Sequence, residues 1–120
     1  MLIPHGALVL VLDDDHVRLL RNRGRDHQPD FELVPARLLT RALGDGPADP
    51  RRRLTEVLDT IAPLLAAGTP LLLVAPSRTL GGLRDALPKA YRGHVVAEIA
   101  KDLTRCPPAE LAERLHMAHA

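Results

Sequence analysis

Two arginines that follow a buried apolar run could bind an anion. Residues 70–75 are predicted to form a strand, and Ser77 then begins a helix that carries Arg78 and Arg84. In open α/β sheets, ligands bind beyond the carboxyl ends of the strands, and helix N-termini attract anions. The glycine-rich pattern of a P-loop is absent from this turn. The alternative is that Ser77 only caps the helix and that Gly81 allows close packing on the sheet.

Carboxylates are placed badly for a two-metal nuclease, which needs several of them converging over the central strands. The first predicted strand, residues 7–12, is wholly apolar, and residues 70–75 contain no acid. Asp13 lies only at the end of the first strand. The triplet 13–15 could hold a hard cation, but aspartates also tolerate tight turns, which favours a solvated hairpin turn here. We therefore expect neither a metal nor any other cofactor.

Histidine and cysteine patterns give no catalytic or metal centre. The six histidines lack metal-ligand spacing, and the pair His116 and His119 has no third ligand nearby. Cys106 has no partner of the cysteine–histidine type in the sequence, so a nucleophile is not expected. As the only cysteine, it allows no internal disulfide, which fits a reducing compartment.

A basic hairpin, residues 16–25, could contact RNA phosphates. It contains four arginines, at positions 18, 21, 23 and 25. It has no aromatic side chain on which a base could stack, so base-specific recognition is not expected. The alternative is an ordinary solvated strand face.

Composition indicates one domain spanning residues 1–120, with an aliphatic core. The chain is 46% hydrophobic but has one Tyr, one Phe and no Trp. Its 16 basic and 15 acidic residues leave a net charge of +1, so only a local patch could attract nucleic acid. Fourteen of the basic residues are arginine. The first apolar run is too short for a signal sequence, and no run approaches the ~18 residues of a membrane helix. These features predict a cytoplasmic protein without a membrane partner.

Hydrophobic patterning predicts an α/β fold with the element order β-β-β-α-β-α-β-α. The five strands are expected at residues 7–12, 16–21, 31–34, 70–75 and 94–99. Helices are expected to begin at Pro50, Ser77 and Pro107 or Pro108, with Gly68 ending the first and Pro88 kinking or ending the second. The first three strands should form an antiparallel meander. Helical crossovers should place the last two parallel to their neighbours, in the order 3-2-1-4-5. This single mixed sheet, with helices on its faces, resembles the ribonuclease H-like arrangement.

Two adjacent motifs carry a family resemblance. Residues 75–84 follow the pattern A-P-x-R-x-L-G-x-L-R, and residues 95–104 follow V-x-x-E-x-x-K-D-L-T. Together with the N-terminal strands, these motifs resemble the bacterial host attachment protein family, also described as proteins required for attachment to host cells. That family is similar in fold to the middle domain of archaeo-eukaryotic peptide-chain release factors. The resemblance implies a ribosome-binding or translation-associated role, while the family name implies host attachment.

Two departures limit what the resemblance implies. The family carries a longer polar stretch before the first helix, and the compact segment 36–53 makes any function of that stretch doubtful here. Release factors act through a Gly-Gly-Gln loop, whereas Gly81 and Gly82 are followed by Leu83. Peptidyl-tRNA hydrolysis is therefore not expected.

By the resemblance, the candidate binding residues are Arg78, Arg84, Lys101 and Asp102. The alternative is that Lys101 and Asp102 pair with Arg78 or cap the last turn. We expect a non-catalytic domain that binds the ribosome or RNA phosphates through this local cluster. An enzyme of unknown class acting at the strand ends and a structural or oligomerisation module remain as alternatives, and a homodimer is left open.

Overall fold

The computed structural model describes residues 3–13, 16–25, 28–34, 50–65 and 68–118, with side chains for all of these except residues 50–53 and 116–118. Several sequence predictions fall outside these ranges. They concern Asp14 and Asp15 of the aspartate triplet, His27, His119, the side chain of His116, and the segment 36–49.

Five strands form one mixed sheet, which confirms the predicted α/β class and the single five-stranded sheet. The strands are β1 (Leu8–Leu12), β2 (Val17–Asn22), β3 (Phe31–Leu33), β4 (Leu71–Ala75) and β5 (Val95–Ala100). Their order across the sheet is β3-β2-β1-β4-β5. β1 pairs antiparallel with β2 and parallel with β4, while β4 pairs parallel with β5. The carboxyl ends of β1, β4 and β5 therefore meet at one edge of the sheet.

Prolines interrupt two of the helices, and one of these interruptions was predicted. α1 (Pro50–Ile61) ends earlier than expected and continues as a 3-10 turn, Ala62–Leu64, because Pro63 cannot donate a backbone hydrogen bond. As predicted, the helix after β4 breaks at Pro88, into α2 (Ser77–Ala86) and the short α3 (Lys89–Arg92). Two helices, and not one, thus join β4 to β5. The last helix is α4 (Pro108–Ala118).

Two apolar layers enclose the sheet. On one face of the sheet, every second residue of β1 and β4 packs against α1 and α2. The residues between them point to the other face and pack against Leu111 and Leu115 of α4. Every residue of β1 and β4 is buried. A strand covered on both faces must be apolar throughout, which explains the unbroken runs in the sequence.

The glycine that permits close packing is Gly82, which corrects the expectation for Gly81. A Cβ atom on Gly82 would lie 2.8 Å from Cδ1 of Leu54 in α1, whereas a Cβ atom on Gly81 would meet nothing within 4 Å. The close contact is therefore between helices α2 and α1, and not between α2 and the sheet.

Asn22 joins three backbone segments at the end of β2. Its side chain is fully buried, and Nδ2 donates to the carbonyl oxygens of Ile3 (2.8 Å) and Pro4 (3.2 Å). Its Oδ1 accepts from the backbone N–H groups of Gly24 (2.9 Å) and Asp30 (3.0 Å). One side chain thus provides hydrogen-bond partners for four backbone groups outside the strands. Buried backbone N–H and C=O groups need such partners.

Candidate functional site

The carboxyl edge of the sheet collects polar residues from three strands. Asp13 follows β1, Ser77 and Arg78 follow β4, and Lys101 and Asp102 follow β5. After β4 the chain enters α2 on one face, and after β5 it enters α4 on the other face. Adjacent strands whose connections leave on opposite faces form a crevice where α/β proteins bind ligands.

Hydrogen bonds fix the connection between β5 and α4, residues 101–107. The half-buried Arg18 of β2 donates through Nη1 to the carbonyl oxygens of Thr104 (2.9 Å) and Cys106 (2.6 Å). Asp102 Oδ1 accepts from the N–H of Thr104 (3.2 Å) and lies 2.8 Å from its hydroxyl oxygen. That hydroxyl oxygen is also 3.1 Å from Oδ2 of Asp13. The loop is therefore tied to the ends of both β1 and β2.

Three basic side chains face solvent at this edge. Arg78, Lys101 and Arg105 are exposed, and they form no hydrogen bond or ion pair through their side chains within the described part of the chain. The two carboxylates of the same edge, Asp13 and Asp102, bond instead to the protein. Among the described residues that follow β1, β4 and β5 at this edge, the charged side chains left without a described partner are therefore these three cations.

Arg84 lies over the sheet and not at its carboxyl edge. Its Nε donates to Oε1 of Glu98 at 2.6 Å, and Glu98 pairs with Leu73 within the β4–β5 ladder. Arg84 follows Arg78 by six residues, about 9 Å along the helix axis. Asp102 bonds to Thr104, and no described contact joins it to Arg78, so the alternative of an ion pair between these two residues is not observed. The structure brings Arg78, Lys101 and Asp102 to one edge and places Arg84 elsewhere.

The sequence patterns did not identify Arg18 and Arg105 as residues of the site. Arg18 was predicted only as one of the hairpin arginines, but its guanidinium group bonds to the loop after β5. Arg23 of the same hairpin pairs with Glu32 at 3.2 Å. The hairpin therefore does not present four unpaired arginines. Nothing in the sequence distinguishes Arg105 from the other arginines except its place just after the second family motif.

A polar cavity of about 430 Å³ opens beside the carboxyl edge. The loop after β5 and the first turns of α4 form most of its wall. Its ionisable lining groups are Asp13, Asp102, Arg105, Cys106, Glu110 and Arg114.

The Cys106 thiol is poorly suited to be a nucleophile. Burial raises its pKa above the ordinary value of 9.0, and the Glu110 carboxylate raises it further. Arg114 and Arg18 act in the opposite direction but do not outweigh these effects. At neutral pH the group is therefore the neutral thiol, which is the unreactive form.

Within the described ranges, no group of three or more His, Cys, Asp or Glu side chains could hold a metal ion. No helix in that part of the chain has the length and apolar character needed to cross a membrane.

Comparison with known proteins gives one family match. Residues 47–115, more than half of the chain, match the family model described as "Protein required for attachment to host cells". The matched span runs through α1, β4, α2, α3 and β5 into α4. No curated protein and no solved structure matched the chain.

Proposed function

The chain belongs to the family of proteins required for attachment to host cells, and from this premise we propose that it is a non-catalytic, cytoplasmic domain that binds ribosomal RNA phosphates. The observation that carries the proposal is a set of three exposed cations at the carboxyl edge, Arg78, Lys101 and Arg105, which have no hydrogen-bond or ion-pair partner among the described residues. Arginine and lysine supply most contacts to RNA backbones, and their contribution is electrostatic.

The chemistry of the edge supports binding over catalysis. The carboxylates of Asp13 and Asp102 bond to Thr104, so they are held as part of the loop. The raised pKa of Cys106 removes the only thiol as a nucleophile at neutral pH. Among the described residues of this edge, Arg78 in α2 and Lys101 and Arg105 in the loop after β5 leave positive charge exposed, which suits recognition of an anion.

The link to translation rests on the resemblance to the middle domain of release factors. An antiparallel meander followed by two parallel strands supports the ribonuclease H-like arrangement that we propose for this sheet. The catalytic Gly-Gly-Gln sequence of release factors is absent. We therefore propose that the chain contacts the ribosome but does not release the peptide.

The test is co-sedimentation of the full chain with ribosomes from its own cells, at low salt and at ~0.3 M salt. We expect binding at low salt that weakens as salt rises. Removing one phosphate contact, by Arg78→Ala or Lys101→Ala, should lower the slope of log affinity against log salt by about 1. The matched control is Lys89→Ala, because Lys89 is exposed and begins α3, which precedes β5 and so lies at the opposite edge of the sheet.

Three results would separate the alternatives. Absence of the protein from ribosomal fractions at low salt would refute the translation proposal. Loss of folding in Arg78→Ala, measured by circular dichroism, would favour a structural role for this residue. Turnover of a phosphoester or ester substrate that Arg78→Ala abolishes would favour an enzyme at the strand ends.

A further inference from the structure

Two arginines, Arg105 and Arg114, line the polar cavity beside the carboxyl edge. Both side chains are exposed, and neither forms a hydrogen bond or ion pair with a described residue. We propose that this cavity binds one phosphate group, held by Arg105 and Arg114. The inference rests on the proposed function, in which a phosphate of the RNA backbone is one source of the group. The other source is a small phosphate compound such as a nucleotide.

The cavity wall is fixed before any ligand binds. Arg18 bonds to the carbonyl oxygens on either side of Arg105, those of Thr104 and Cys106. The buried Thr104 side chain connects the loop to Asp13 and Asp102. A ligand therefore does not have to order this segment, which lowers the entropic cost of binding. Because an arginine fork matches the oxygens of a phosphate, two such forks on a fixed wall suit this group.

Three carboxylates line the cavity with the two arginines, and two of them accept hydrogen bonds from the protein. Asp102 Oδ1 accepts from Thr104, and Asp13 Oδ1 accepts from the backbone N–H of His16 at 2.6 Å. Glu110 is the remaining acid, and no hydrogen bond or ion pair joins its side chain to the described residues. It should oppose a bound anion, so its neutralisation should strengthen phosphate binding.

Cys106 provides a readout inside the cavity. It is the only cysteine of the chain, and it lines the cavity together with Glu110 and Arg114. Glu110 raises the pKa of the thiol and Arg114 lowers it, so the thiol responds to charge at this place. A bound phosphate would act as a second negative group and would also cover the sulfur. Alkylation of Cys106 should therefore slow when the cavity is filled.

The experiment measures the rate of alkylation of Cys106 by iodoacetamide in the full chain. Inorganic phosphate, AMP and a short single-stranded RNA are titrated separately at constant ionic strength. We expect saturable slowing of at least about threefold, since a bound phosphate disfavours the thiolate and also covers the sulfur. Arg105→Ala and Arg114→Ala should abolish the slowing, and Arg114→Lys should keep part of it. Glu110→Gln should shift half-saturation to lower phosphate, and Lys89→Ala, at the opposite edge of the sheet, should leave it unchanged.

The outcomes distinguish this inference from the proposed function. Equal alkylation rates at all phosphate concentrations, or slowing that persists in the Arg105→Ala/Arg114→Ala double variant, would overturn the inference. Ribosome binding could still hold in that case, because Arg78 and Lys101 remain. Slowing by phosphate without co-sedimentation would support the cavity while refuting ribosome binding. Slowing by AMP at lower concentration than by RNA would support the cavity with the small compound as its source, and the reverse would support RNA.

Discussion

Replacement of Asn22 should destabilise the fold more than any exposed change in β2. Asn22→Ala removes two donors from the carbonyl groups of Ile3 and Pro4 and one acceptor from two backbone N–H groups. An unsatisfied buried group costs about 1–3 kcal/mol. Only the bond to Ile3 is fully buried, and water can reach the other three partners in part. We therefore expect a loss of about 2–4 kcal/mol in the free energy of unfolding, out of the ~5–15 kcal/mol typical of a domain.

The isosteric change Asn22→Asp tests the same network through pH. A carboxylate keeps the acceptor for Gly24 and Asp30 but faces the two carbonyl oxygens without a proton. Burial beside these oxygens raises the pKa of the introduced group above its unfolded value of ~3.9. The folded state then binds the proton more tightly, so the deficit relative to the wild type should shrink as pH falls from 7 to ~4.5.

Urea unfolding followed by circular dichroism at pH 7 and ~4.5 measures both effects. Arg21→Ala, an exposed neighbour, is the control and should stay within about 0.5 kcal/mol of wild type. An Asn22→Ala variant equally close to wild type would refute the argument that this side chain sustains the three segments. So would an Asn22→Asp deficit that grows as pH falls.

Three further predictions concern the helices, the loop and the thiol. Gly81→Ala should raise the free energy of unfolding by about 0.5–1 kcal/mol, because its site in α2 is open, whereas Gly82→Ala should gain less, because Leu54 must move. Thermal melting of the two variants compares them directly, and equal gains would contradict the contact between α1 and α2. Arg18→Ala should lower the free energy of unfolding by about 1–3 kcal/mol, since two carbonyl groups lose their donor. Urea unfolding measures this loss, and stability equal to wild type would argue that the loop after β5 keeps its position without Arg18. Because the pKa of Cys106 is raised above 9.0 in the folded state, its contribution to stability is complete below that pH and is lost as pH rises through the folded value. Melting of wild type and Cys106→Ser at pH 7.5 and 10 should show the wild type losing more, and parallel losses would refute the shift.

Sequence patterning predicted the parts of the fold that depend on local order. The apolar runs at 7–12 and 70–75 indicated strands covered on both faces, and both were found. The break at Pro88 followed from proline geometry, which acts within one helical turn. Pro63 has the same geometry and ends α1 early, and it was overlooked because the apolar spacing continues through it to Leu65.

The candidate site was predictable only in part. Placement of Arg78, Lys101 and Asp102 at one edge follows from parallel strands, whose carboxyl ends must meet. The isolation of Arg84 does not follow, since its pairing with Glu98 depends on how α2 crosses β5. Gly81 and Gly82 also look alike in the sequence, and only the approach of α1 selects Gly82.

The sequence by itself determined the class of fold, the aliphatic core and the family, because periodicity, proline and motif spacing are local properties of the chain. The tertiary structure alone decided which charges are engaged. Arg18 reaches residues 86 and 88 positions away, and Thr104 meets Asp13 across 91 positions. Such partners are set by strand order and by the path of the loop after β5. Whether a charged side chain holds the fold or faces a ligand therefore depends on packing, which spacing in the sequence does not encode.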